Sequence, residues 1–194
     1  DLPVATYQAP AGISNSTRGI TAGGYTGSFV NSISYVTIAA EGNASDFGDL
    51  SQTTARTTGM ASPTRGLVCG GFTGYNRVNT ISYITVGSTG NSSDFGDLHK
   101  QMEEACSASS STRGLIAAGG TSSNNVIEYV TIASAGNATD FGDLTISIMH
   151  SAALSSSTRF VRGGGRDNGN TKTNTMDYVT IASTGNATDF GDLN

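Results

Sequence analysis

Apolar and small polar residues alternate along this chain in short runs, separated by Gly, Asn, Ser and Thr. In "TISYITVGS" (80–88), an extended backbone puts Ile81, Tyr83 and Thr85 on one face and Ser82, Ile84 and Val86 on the other. Runs of this kind recur from end to end, so the pattern predicts an ordered all-β chain.

The pattern itself repeats. "GNATDFGDL" stands at 136–144 and again at 185–193, with "GNASDFGDL" at 42–50 and "GNSSDFGDL" at 90–98. A Thr-Arg pair places Arg18, Arg65, Arg113 and Arg159 at spacings of 47, 48 and 46 residues. Tyr35, Tyr83, Tyr129 and Tyr178 each precede a phenylalanine (Phe47, Phe95, Phe141, Phe190) by 12 positions. The stretch before each tyrosine varies in length and composition. The chain is therefore read as one repeat domain over 1–194, in units of approximately 1–50, 51–98, 99–144 and 145–194.

Each unit parses into four strands. In the second, strand a covers roughly 53–61, and "SPTRG" turns the chain with Pro63 and Gly66. Strand b is "LVCGGF", the loop "TGYNRVN" leads to strand c at "TISYITVGS", and "TGNSSD" turns into strand d, "FGDL". The pair Gly70 and Gly71 is expected inside strand b, where side chains would collide with a close neighbour. A sheet this small cannot bury both faces alone, so stacked copies must cover one another. The predicted architecture is a β-propeller of four four-stranded blades, with ring closure covering both end faces. A β-solenoid, or part of a longer repeat array, is the alternative; the opening Asp1-Leu2 matches the tail of a preceding "FGDL".

The order Arg, paired Gly, Tyr and then a last-strand aromatic resembles a kelch repeat, with phenylalanine where kelch repeats usually carry tryptophan. The third unit shifts its glycines by one in "LIAAGG", and the fourth places Arg162 within the apolar strand of "RFVRGGG". The phrase "YVTIAS-x-GNATDFGDL" is similar to kelch-like repeats of virion structural and tail-fibre proteins in marine tailed phages, including cyanophages. That resemblance covers essentially the whole chain. It implies a virion or extracellular location and a non-catalytic structural or host-adhesion module, and it carries no catalytic residue.

Composition narrows the partners. The formal charge is -5 and no Lys/Arg cluster exists, which disfavours nucleic acid. No apolar run reaches membrane-spanning length. Cys69 and Cys106 sit in apolar or small-residue runs and read as small buried thiols rather than a disulfide framework. "DFG" occurs four times without the catalytic-loop HRD or strand lysine of a kinase. His99 and His150 have no repeated Cys or Glu partner, and no G-x-S-x-G elbow appears, so no enzyme activity is expected. The N-x-[ST] positions Asn15, Asn43, Asn91, Asn137 and Asn186 match the glycosylation pattern but read first as turn residues bonding their own backbone.

Each unit carries two aspartates: Asp46 and Asp49, Asp94 and Asp97, Asp140 and Asp143, Asp189 and Asp192. Calcium takes six to eight oxygens, often from an Asp-rich loop, but the Phe between these aspartates marks a strand. No cofactor is expected, with Ca2+ the alternative. The a–b and c–d turns of a blade emerge together, so Arg18, Arg65, Arg113 and Arg159 are each expected to pair with an Asp of "DFGD". The opposite edge carries the b–c loops and the d–a connections, where the units differ. They present Tyr25 and Phe29, then Phe72, Tyr75, Asn76 and Arg77, then Asn124 and Asn125, then Arg166, Asp167, Asn168 and Lys172. Aromatics beside Asn, Asp and Arg suit sugar or protein surfaces. The expected partners are other copies, virion proteins or a host-surface glycan, and the competing reading is a lectin with one sugar site per blade.

Overall fold

The computed structural model describes residues 1–3, 5–120 and 124–194. Blade 1 contains β1 (Ala11–Ser14), β2 (Arg18–Ala22), β3 (Ser32–Thr37) and β4 (Ser45–Asp49). Blade 2 contains β5 (Thr58–Ala61), β6 (Arg65–Cys69), β7 (Thr80–Thr85) and β8 (Ser93–Asp97). Blade 3 contains β9 (Cys106–Ser109), β10 (Arg113–Ala117), β11 (Asn124–Thr131) and β12 (Thr139–Ile148). Blade 4 contains β13 (Ala152–Ser155), β14 (Arg159–Gly163), β15 (Thr175–Thr180) and β16 (Thr188–Asp192). Each blade is an antiparallel meander in sequence order, and the four are arranged as a four-bladed β-propeller. The first strands pack in succession, β1 on β5, β5 on β9 and β9 on β13, and the four a–b turns, from Ser14 to Ser157, line one open depression of about 400 Å³.

Local chemistry fixes the strand ends. Asn15, Ser62, Ser110 and Ser156 each cap the a–b turn by accepting the amide of the repeat arginine three residues on, at 2.8–3.1 Å. Strand a of blade 2 is shorter than expected, because Thr53 to Thr57 belong to the connection rather than to β5. The glycine pair lies just beyond β6 rather than within it. Gly70 and Gly71 have φ of 62° and 118°, and a Cβ on Gly71 would lie 2.5 Å from Thr54 Oγ1.

Packing runs between blades. The alternation of β7 serves two neighbours: Ile84 and Val86 join blade 1 in one apolar cluster, while Ile81 joins Ile116, Val130 and Ile132 of blade 3 in another. A third cluster unites blades 3 and 4 through Leu115, Ile127, Phe141, Phe160 and Ile181. These three clusters join consecutive blades. Coverage of both end faces, expected from ring closure, does not occur: Phe47, Phe95 and Phe141 are 2% exposed and Phe190 is 48%. Among the described residues, four blades stacked through three junctions leave one face of blade 1 and one of blade 4 more exposed than the faces between blades.

Candidate functional site

Two kinds of side-chain assembly stand out, one repeated in every blade and one confined to the variable edge. The repeated one is a stack. Arg18, Arg65, Arg113 and Arg159 lie over the rings of Tyr35, Tyr83, Tyr129 and Tyr178, with guanidinium carbons 4.4–4.6 Å from the centroids. Each tyrosine meets its own Phe edge-on at 5.8–6.2 Å. Three of the arginines also reach the next blade. Arg18 Nη1 donates to the Val86 carbonyl at 2.8 Å, Arg65 Nη1 to Ile132 at 3.0 Å, and Arg113 Nη1 to Ile181 at 2.9 Å.

The expected Arg–Asp pairs are therefore corrected. The guanidinium partners are a ring and a main-chain carbonyl, and the ion pairs found among the described residues include none between these arginines and Asp46, Asp49, Asp94, Asp97, Asp140, Asp143, Asp189 or Asp192. Those aspartates are exposed, apart from the half-buried Asp143, and what the next blade uses is their main chain. The Asp49, Asp97 and Asp143 amides donate at 3.0 Å to Oδ1 of Asn91, Asn137 and Asn186 in the following c–d turn. These asparagines thus bond the preceding blade rather than their own turn; Asn15 is the member that caps locally. Among the described residues no cluster of three His, Cys, Asp or Glu side chains is placed to hold a metal ion.

The second assembly lies on the b–c edge. Tyr7, Tyr25, Phe29 and Phe72 form an edge-to-face string across blades 1 and 2, with successive centroids 5.3, 5.0 and 5.7 Å apart. Gly74, at φ 96°, lets the Phe29 ring lie against the loop; a Cβ there would come within 2.8 Å of it. Arg56 and Arg77 stand 5.6 and 6.0 Å from the Phe72 centroid. Both also bind the buried Glu103, Arg56 at 3.0 Å. The polar chain continues to Glu104, which contacts Arg56 at 3.8 Å and His150 Nε2. His150 Nδ1 accepts Arg166 Nε at 3.0 Å, which places the imidazole proton on Nε2, facing Glu104.

The loop residues singled out by sequence divide accordingly. Tyr25, Phe29, Phe72 and Arg77 come together, whereas Tyr75 projects into solvent and the Asn76 carbonyl closes its own loop by accepting Thr73. Arg166 joins the polar chain and binds Asn170 at 2.6 Å, while Asp167 accepts the Thr171 amide at 2.8 Å. Asn168 and Lys172 are exposed on the same loop. Asn124 and Asn125 begin β11, and Asn124 bonds Gly119 and Val126; residues 121–123 of that loop lie outside the described residues. Sequence reasoning missed Tyr7, Arg56, Glu103, Glu104 and His150. Tyr7 precedes β1, and the other four occupy the d–a connections, where Arg56, Glu104 and His150 share φ of 56–57°. That shared left-handed position is invisible to side-chain patterning.

Three buried ionisable side chains lie deeper. Arg162 and Asp177 pair in blade 4, both fully buried, with Arg162 also donating to the Gly164 and Thr175 carbonyls and Thr145 donating to Asp177. In blade 3 the equivalent acid is Glu128, whose Oε2 accepts the His99 amide at 3.0 Å while Oε1 has no partner. Burial pushes its carboxyl above the ordinary range, with the charge of Asp140 adding to the rise and the His99 amide bond opposing it.

The fold and site define the class: a β-propeller with a constant interblade joint and a variable aromatic and charged edge. No protein-family model matches the chain, and no curated protein matches it in sequence.

Proposed function

We propose that the chain is a non-catalytic structural and adhesion module of a virion, resembling the kelch-like repeats of marine tailed-phage fibres, and that it contacts a host surface or another protein through its b–c edge. The observation that carries this reading is the division of labour among side chains. Residues identical in every unit are spent on interblade joints, while the residues that differ assemble on one edge, where two guanidiniums stand 5.6 and 6.0 Å from the Phe72 ring. Aromatic and arginine side chains gathered on a rigid scaffold favour recognition. Many copies on one particle would raise a weak contact to useful avidity.

The unequal edges also weigh against a lectin with one site per blade, because among the described residues the aromatic string lies on blades 1 and 2. A glycan array probed with the labelled chain tests this. The expected result is either no glycan, leaving a protein target, or one site per chain that Phe72→Ala abolishes. Saturable binding at four equivalent sites, insensitive to Phe72→Ala, would establish the lectin instead.

A further inference from the structure

We infer that the hollow beside Glu128 is a binding site for a guanidinium group, the head of an arginine side chain or of a small guanidinium compound. The site is formed by β11, β12 and the connection from β8 to β9. It shares no residue with the aromatic string, so it goes beyond the adhesion reading and does not rest on it.

Blade 4 shows how this fold holds a guanidinium against a buried acid. Arg162 lies opposite Asp177 in the register of β14 and β15. Its guanidinium pairs with the Asp177 carboxylate, and its Nη1 donates to the Gly164 and Thr175 carbonyls at 2.9 and 3.1 Å. Thr145, late in β12, donates to the same carboxylate. Blade 3 keeps the acid, the carbonyl and the neighbouring donor. Glu128 stands where Asp177 does, directly before the repeat tyrosine. Val126 holds the place of Thr175, and its carbonyl accepts the Ala118 amide at 3.2 Å as that of Thr175 accepts Gly164 at 3.1 Å. His99 holds the place of Thr145, and its amide donates to Glu128 Oε2 at 3.0 Å. The arginine alone is missing: the residue opposite Glu128 is Ile116, buried and with no charge to offer.

In blade 3 there is space instead. His99, Val126 and Glu128, with Lys100 and Asp140, line a hollow of about 350 Å³. Glu128 is 1% exposed, yet its Oε1 has no hydrogen-bond partner among the described residues. A carboxylate taken out of water and left without a donor is costly, so the site favours a ligand that supplies one. Asp140, opposite Glu128 in the register of β11 and β12, adds a second negative charge and so favours a cation. Among cations, a guanidinium offers two parallel N–H groups that match a carboxylate, keeps its charge, and is more weakly hydrated than an ammonium. Bound here, it gives Glu128 the donor that Arg162 gives Asp177, with a further N–H for the Val126 carbonyl. The exposed Lys100 also lines the hollow and competes with the incoming cation.

Nuclear magnetic resonance titration of the nitrogen-labelled chain with N-acetyl-arginine amide at low salt tests this, with the His99 amide reporting beside Glu128. The wild type is expected to show a saturable shift at His99 and a melting temperature that rises with ligand. N-acetyl-lysine amide is expected to bind several-fold more weakly. Glu128→Gln keeps the size and removes the charge, and is expected to weaken arginine binding by roughly tenfold or more. Lys100→Gln removes the competitor and is expected to tighten it. Ile116→Arg copies blade 4 into blade 3 and is expected to abolish binding, with near-ultraviolet circular dichroism confirming the fold. A blocked Gly-Gly-Arg-Gly-Gly peptide separates the sources: tighter binding than the single residue assigns the guanidinium to a partner protein, and equal binding assigns it to a small compound. No saturable shift at His99, undiminished binding by Glu128→Gln, or lysine binding as tight as arginine would each overturn the inference. Failure here leaves the adhesion reading standing, and failure of the glycan test leaves this site standing.

Discussion

Replacing Arg113 by Ala removes two interactions at once, whereas the same change at Arg159 removes one. Arg113 lies 4.4 Å from the Tyr129 centroid and donates at 2.9 Å to the Ile181 carbonyl of the next blade; Arg159 has the tyrosine contact alone, at 4.5 Å. A cation–π contact near the surface contributes about 0.5–1 kcal/mol. A hydrogen bond from a charged donor contributes roughly 1.5–3 kcal/mol, and its loss strands a carbonyl between blades. Arg113→Ala is therefore expected to cost about 2–4 kcal/mol and Arg159→Ala about 0.5–1 kcal/mol. At about 2–4 °C per kcal/mol for a domain of this size, the melting temperature should fall by roughly 4–16 °C in the first and about 1–4 °C in the second. Thermal and urea unfolding reads both. Equal losses in the two variants would refute the assignment of an interblade bond to this arginine.

Three further outcomes follow from the packing. Because burial raises the Glu128 carboxyl, its folded form prefers the proton; stability is full below the ordinary glutamate value near 4.5 and falls as pH rises through the folded value. Glu128→Gln should therefore be more stable than wild type at neutral pH in urea unfolding, with the advantage vanishing below about pH 4. Gly96→Ala must force a Cβ against the Gly136 carbonyl, whereas Gly191→Ala, at a similarly positive φ, meets open space; the first should cost about 1–3 kcal/mol more than the second by the same method. Burial pushes the Cys69 and Cys106 thiols well up, so a thiol reagent should label neither in the native protein and both on unfolding.

The blade pattern was legible because the alternation and the fixed Tyr-to-Phe interval both survive folding: each pair meets edge to face across strands c and d. The partner of the repeat arginine was not. Charge complementarity pointed to the nearby aspartates, yet strand d presents those carboxylates to solvent, and the pairing of Arg113 opposite Thr131 sets the guanidinium over Tyr129 instead. The reach to the next blade depends on rotation between blades, which no single unit encodes. On the variable edge, the aromatic loops announced themselves by composition. Arg56, Glu104 and His150 did not, because unlike side chains occupy one shared backbone position. The bonds of Asp1 to Asn43 and Ala44 repeat the joint that Asp49 makes with Asn91 and Ser92.

Amide hydrogen exchange tests most directly the central claim that one directional joint, repeated from blade to blade, organises this protein. The account predicts that the Gly90, Gly136 and Gly185 amides, which donate to the Phe47, Phe95 and Phe141 carbonyls of the preceding blade, exchange far more slowly than the Gly42 amide, which opens the same turn on blade 1. Equal exchange at all four positions would contradict it.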